Sequence, residues 1–393
     1  MAAHSTKPKN STAIPLSRWA DRQLRLLADE TNSPAIAYLD GATLQGERAR
    51  LNGFSIPARR SAGGKCHLIA AQDGWIALNL SRDDDRELLP ALFGARMFDT
   101  ADLGEIAEHI YACNAQALVA RGREMGLAVA AINEPSAGEA ITRLERSQPS
   151  PPPSRAPLVV DLSALWAGPL CAHLLQLAGA QVVKVESLTR RDALREGDPA
   201  LFALLNGGKD SVSVDLADNA FRALIAKADI VIEAARPRAL AQLGVDACAL
   251  VAAKPGKVWI IITGHGASGE AANWIGFGDD CGVAGGLSAA LQQASGAVGF
   301  VGDAIADPLT GIAAARAAWQ AWSSGKGGRI SLSMSGVAAR ALAEERAFDA
   351  ELLHAELAAW AAASGRSFPQ VAERSPHAPV HLLGADNARW LSC

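Results

Sequence analysis

Val159-Val-Asp161-Leu-Ser-Ala-Leu-Trp-Ala-Gly168-Pro169, Gly179-Ala-Gln-Val-Val-Lys184-Val-Glu186 and Asn206-Gly-Gly-Lys209-Asp-Ser-Val-Ser-Val-Asp215-Leu216 decide the fold of this chain. Two short β-branched runs flank an apolar stripe at Leu170, Leu174 and Leu177, the pattern of a strand, a helix and a second strand. Gly168-Pro169 suits the opening of that helix and Gly179 its end. The first N–H groups of a helix have no intrahelical partner, so they suit an anionic ligand above the strand ends. The block therefore predicts the border of a site.

Working outward, β-branched runs at Val159 to Leu162, Gln181 to Val185, Ser211 to Asp215, Asp229 to Glu233 and Val258 to Thr263 read as strands. Helical patterns at Pro169 to Leu177, Asn219 to Ala228 and Pro237 to Leu243 separate most of them. This alternation calls for an α/β fold with a parallel, doubly wound sheet, which binds ligands at the carboxyl ends of its strands. Beyond Gly269 the chain turns Ala- and Gly-rich, with helices expected at Pro308 to Trp322 and Gly336 to Ala363. Gly325-Lys-Gly-Gly328 leads into a last strand, Arg329 to Met334.

The proline run Ser147-Gln-Pro-Ser-Pro-Pro-Pro-Ser-Arg-Ala-Pro157 favours an extended, semi-rigid linker and marks the clearest boundary. Residues 1–14 read as a loose tail, 15–146 as a small α+β domain, 147–157 as the linker, 158–340 as a Rossmann-like large domain, and 341–393 as a helical segment and tail. In the small domain, Leu24 to Glu30 predicts a helix, and His67 to Ala70 with Trp75 to Leu80 predicts a hairpin about Asp73-Gly74. Asp83 to Leu92 and Asp102 to Arg123 read as two further helices.

A chain of 393 residues can build two domains with cores of their own. A net charge of −4 gives no electrostatic case for nucleic acid or an anionic membrane, and no apolar run reaches the length of a membrane span. Met1 to Ser11 is polar and lacks the apolar core of a secretory signal. Six scattered cysteines without a CxxC pair fit reduced thiols of a cytoplasmic protein, with no metal site expected.

Taken in order, D-L-S-x-x-x-A-G-P from Asp161, G-A-x-V-V-K-V-E from Gly179 and N-x-G-K-x-S-V-x-V-D-L from Asn206 resemble the opening of the family III CoA-transferases. That family holds formyl-CoA and carnitine CoA-transferases together with α-methylacyl-CoA racemase. In it the block stands near the N-terminus, whereas here about 150 residues precede it. Residues Gly64 to Leu92 resemble the family's small domain, which implies a circular permutant with that domain moved to the front. The resemblance also implies coenzyme A as cosubstrate, an acyl-CoA and a small carboxylic acid as partners, and an interlocked homodimer.

Asp307, in Val301-Gly-Asp-Ala-Ile-Ala-Asp307-Pro-Leu-Thr-Gly311, reads from local pattern as the start of an Ala-rich helix, where the macrodipole favours a carboxylate. The resemblance places it on the family's nucleophile, with Gly311 on the glycine that follows; Asp303 is the neighbouring rival. A nucleophilic aspartate splits transfer of CoA into steps through an acyl anhydride and an aspartyl-CoA thioester. The tetrahedral intermediates need N–H donors, for which Gly63-Gly64 and Gly285-Gly286 are candidates. His265, in Gly264-His265-Gly266-Ala-Ser-Gly269, is a candidate base or a structural loop histidine.

For CoA, the resemblance points to Trp166, Ala167 and Gly168, and Trp166 stands either against adenine or in the core. Lys184, Lys209, Arg236 and Arg238 are candidate phosphate ligands, and the acid-rich stretch Asp192 to Asp198 reads as a solvated lid. The rival readings are an acyl-CoA racemase or isomerase and a non-catalytic CoA-binding partner subunit. Racemases of the family carry a G-H-D triplet where this chain has Phe277-Gly278-Asp279-Asp280. The partner reading is motivated by Ala234, Ala235 and Gln242, which replace residues usual in the family.

Overall fold

A computed structural model describes residues 12–94, 98–136, 138–235 and 239–391. Two sheets organise them. The first is antiparallel, in the order β1 (Cys66–Ala71), β2 (Gly74–Asn79), β3 (Ala128–Ala131). The second has seven strands: β4 (Ile141–Glu145), β5 (Leu158–Asp161), β6 (Gln181–Ser187), β7 (Asp210–Val214), β8 (Ile230–Glu233), β9 (Val258–Thr263) and β10 (Gly328–Ser333). Their order across the sheet is β4-β10-β9-β8-β5-β6-β7, parallel throughout except for β4 against β10.

Strand residues alternate between two cores, as a sheet covered on both faces requires. Val159, Val182, Ile230, Ile260 and Ile330 face one side, with α1 (Ser17–Thr31), α2 (Gly41–Asn52), α3 (Ala167–Leu177), α4 (Gly278–Ala284), α5 (Ala306–Ser323) and α6 (Met334–Ala362) contributing to it. Val160, Val183, Val212, Val231 and Trp259 face the other, against Phe221, Leu224 and Val251. The chain leaves β5 for β6 and β7 on one side, then returns to β8, β9 and β10 on the other. The carboxyl ends of β5 and β8 therefore flank the switch point at which open α/β sheets place ligands.

The expected hairpin is present, with Cys66 opposite Asn79 and Ala70 opposite Trp75. One face of its sheet packs on Leu89, Ile106, Ile110 and Leu118. Its other face, through Leu68, Ala77 and Ala130, packs on Val283, Ala284 and Phe300. The stretch expected as one helix over Asp102 to Arg123 is two, Leu103–Tyr111 and Ala115–Glu124. Asn114 breaks it by turning its side-chain oxygen to the Ala117 N–H as a cap.

The boundary expected at 147–157 does not separate the layers. Helices α1 and α2, although they precede it, bury Trp19, Leu24, Leu27 and Leu44 in the core beneath the large sheet, and β4 adds to that sheet's edge. The stretch around β1, β2 and β3 forms a sheet of its own, and it too packs on α4 through Val283 and Ala284. The proline segment runs along the sheet, with Ser150 N–H donating to Gly325 O and Arg155 paired to Asp229. The boundary expected at 340 falls inside α6. The last described residues cover the opposite edge, where Asp386 and Asn387 bond the backbone of Ser211 and Ser213 on β7.

Candidate functional site

Asp307 lies in the first turn of α5, and its own N–H donates to Ala304 O at 2.9 Å. Ala304 holds a positive φ of 42°, a conformation rare for a residue with a Cβ, so the turn ahead of the helix is strained. The N-terminus of α3 meets the same carboxylate, where the Ala167 backbone N–H approaches Asp307 and favours its ionised form. Gly311, one turn along α5, permits this approach: a Cβ there would lie 2.7 Å from Ala167 O. Gly168 is equally confined, since its Cβ would fall 2.2 Å from Ser163 Oγ.

Three aspartates and one arginine surround this point. Arg48, from α2, donates through Nε and Nη2 to Asp303 at 2.9 and 2.6 Å, and its charge also acts on Asp279 and Asp307. Asp279 accepts the Ala304 N–H at 3.0 Å. Burial raises all three carboxyls: Asp307 to about 7 and Asp279 to about 6, with Asp303 raised as well. Arg48 opposes the rise in each, whereas Asp279 adds to it at Asp307. Asp303 is fully buried and committed to Arg48, but Asp307 keeps partial exposure. Asp279 is partly exposed as well, with one of its oxygens taken by the Ala304 N–H.

Gly278 seals the approach from α4. A Cβ at that position would lie 2.1 Å from Asp307 Oδ2 and 2.4 Å from Ala304 O. Gly63 stands close to the same cluster, its absent Cβ 2.9 Å from Arg48 Nη2. The other glycine pair does not, because Gly285 packs on Ser335 and Ala338 of α6.

Several expected contacts take other roles. Lys184 is 1% exposed and bonds Ser163 O and Asp192 Oδ2; Lys209 is 2% exposed and bonds Asp161 Oδ2, Pro169 O and Asn206 Oδ1. Both ammonium groups are spent inside the fold, where phosphate has no path to them. Trp166 is 2% exposed, in the core, with the Arg48 guanidinium 5.3 Å from its ring centre, so it fills core instead of meeting adenine. His265 is fully buried; Ile275 backbone approaches it, but neither ring nitrogen makes a hydrogen bond of normal geometry. Burial lowers its pKa to about 3, so it is a neutral interior group and not a base open to substrate. Arg236 and Arg238 lie outside the described residues.

Asp192 to Asp198 is exposed at Ala193, Glu196 and Gly197 but tied down elsewhere: Asp192 binds Lys184, Arg195 pairs with Glu186, and Asp198 caps the helix Pro199–Asn206. Beside it, an open cavity of about 420 Å³ is lined by Leu188, Thr189, Arg191 and Glu196 near the carboxyl end of β6. Arg191 is the exposed cation there, and nothing in its local pattern set it apart from Lys184.

His265, Asp280 and Cys281 bring possible metal donors within 4.8 Å of one another. Asp280 already accepts from Asn79 Nδ2 at 2.8 Å and Phe277 N–H at 3.0 Å, which fixes the start of α4. A second trio, Asp210, His381 and Asp386, is taken up in fastening the tail to β7.

A model of CoA-transferase family III matches residues 157–363. Succinyl-CoA–D-citramalate CoA-transferase of Chloroflexus aurantiacus is 31% identical over 196 residues, which cover 46% of this chain and 49% of the relative. Succinate–glutarate CoA-transferase of Agrobacterium fabrum is 29% identical over 215 residues, 49% of this chain and 54% of the relative. The chain thus spans about half the length of the curated relatives it matches. Among solved structures, a hypothetical protein from Mycobacterium tuberculosis aligns with a TM-score of 0.45 and 26% identity, over 51% of this chain and 58% of that one.

Proposed function

The chain belongs to CoA-transferase family III, and from that premise we propose that it moves CoA from an acyl-CoA thioester to a free carboxylic acid, with Asp307 as nucleophile. The observation that carries the reading is the setting of Asp307: partly exposed at the meeting of two helix N-termini, while its neighbouring aspartates are engaged.

Each step follows from carboxylate chemistry. The Asp307 carboxylate attacks the donor's thioester carbon, and CoA leaves as thiolate, giving an acyl anhydride. The thiolate attacks the Asp307 carbonyl carbon, which frees the donor acid and leaves an aspartyl-CoA thioester. The acceptor carboxylate then repeats the two steps in reverse, forming its own acyl-CoA and restoring Asp307. Dividing one exchange into four acyl substitutions lets a single group serve both directions. The Ala167 N–H, aimed at the carboxylate, is placed to stabilise oxyanion charge on its carbonyl oxygen.

CoA is proposed to lie across the switch point between β5 and β8, with the exposed Arg191 near its phosphates. The unit built on β1, β2 and β3 stands ahead of residues 157–363, which supports a permuted order of domains. Among the described residues no helix is long and apolar enough to cross a membrane. A cytoplasmic enzyme that pairs with a second copy of itself completes the proposal. Racemisation is disfavoured because Gly278 leaves no room for a base beside Asp307, and His265 is enclosed. In deuterated water, a chiral 2-methylacyl-CoA should keep its α-proton while CoA moves to an added acid; α-exchange without transfer would reverse the choice.

A further inference from the structure

Arg48 stands outside the matched span, on α2 and ahead of the proline segment, yet its guanidinium acts on every aspartate of the site. Its orientation is fixed from several sides. Asp303 takes two of its N–H groups, the rings of Trp166 and Phe54 lie 5.3 and 5.7 Å from its central carbon, and Gly63 leaves space at Nη2. A two-point hold on a planar fork fixes direction as well as distance.

Resting on the reading of Asp307 as nucleophile, we infer that Arg48, clamped by Asp303, is the positioning residue that keeps Asp307 usable at neutral pH. The groups that face Asp307 are Arg48 from α2, Asp279 and Cys281 from α4, Asp303 from its own turn, and the Ala167 N–H from α3. The positive charge among them is Arg48. Without it, two enclosed carboxylates oppose ionisation of a third, and one backbone N–H remains in favour. The clamp matters equally. An arginine bonded to Asp307 itself would cover the oxygen that must attack, whereas one bonded to Asp303 supplies its field and leaves that oxygen free. The nucleophile on the matched span is therefore set by a residue from the other side of the linker.

Three variants separate charge from scaffolding: Arg48→Gln, Arg48→Lys, and the double Arg48→Gln/Asp303→Asn, which leaves no buried carboxylate without its partner. Carbodiimide consumes the protonated carboxyl, so labelling of Asp307 across pH 5 to 9, read by peptide mass spectrometry, follows its ionisation without turnover. Arg48→Lys should keep the labelling midpoint near that of the parent. Arg48→Gln should raise it by about one pH unit and the double by less, because Arg48 outweighs Asp303 at this site. With acyl-CoA and an acid acceptor, kcat/KM of Arg48→Gln should fall about tenfold at pH 6 and recover by pH 9. Unchanged midpoints in Arg48→Gln and in the folded double would overturn the inference. If the parent shows the expected labelling but transfers no CoA, the transferase reading fails while the assignment of Arg48 stands.

Discussion

Gly278 shows how closely the carboxylate is fitted. Its missing Cβ would sit 2.1 Å from Asp307 Oδ2, so Gly278→Ala must displace the carboxylate or the turn behind it. Shifting a reacting group by about 1 Å can cost about a hundredfold in rate. The variant should stay folded by circular dichroism and lose about that factor in kcat; near-native turnover would show that the oxygen facing Gly278 is not in its working position. Lys184 makes the contrasting case. Its ammonium bonds Asp192 within the fold, so Lys184→Ala should leave a buried charge unpaired and destabilise by roughly 3–5 kcal/mol. Arg191→Ala should instead weaken CoA about fivefold, the loss of one partly exposed phosphate contact worth about 1 kcal/mol, as read by calorimetry. A lysine in or beside a strand has the same local signature whether it faces ligand or core, and the match to the family's positions placed Lys184 and Lys209 among the ligands. Arg48 was missed for a related reason: it sits on a helix without a motif, and only folding brings it to Asp303.

At the scale of elements, the strands of the large sheet were legible because their apolar residues run continuously. Val258 to Ile262 and Val182 to Val185 can be buried on both faces, and the structure buries them so. β3 and β4 were not legible. Ala128-Val-Ala-Ala131 carries three alanines, with little strand preference, and Ile141-Thr-Arg-Leu-Glu145 joins the sheet antiparallel from before the linker. Gly311 was legible as part of a spacing, but its purpose lies in the contact between α5 and α3. A branched side chain there would strike Ala167 O and the Leu170 side chain, driving the helices apart. Gly311→Val is expected to lower both Tm and kcat, since it withdraws the Ala167 N–H from Asp307; a variant with full activity would remove that N–H from the account.

For the whole molecule, the site is a load on stability that depends on pH. Asp307 titrates at about 7 when folded, well above an unfolded aspartate near 4. Between those values the native state binds the extra proton, so this group's contribution falls as pH rises from about 4 to about 7. Asp307→Asn should therefore stabilise the protein at pH 8 by on the order of 2 kcal/mol, a few degrees in Tm, and have little effect at pH 4. An equal change at both pH values would mean that Asp307 is not held protonated by its surroundings. The same group is the centre of the functional account, and its test is chemical. After incubation with an acyl-CoA, reduction by borohydride followed by peptide mass spectrometry should find the side chain of Asp307 converted to an alcohol, and no such product in Asp307→Ala. Conversion at another carboxylate, or transfer that persists at near-native rate in Asp307→Ala, would contradict it.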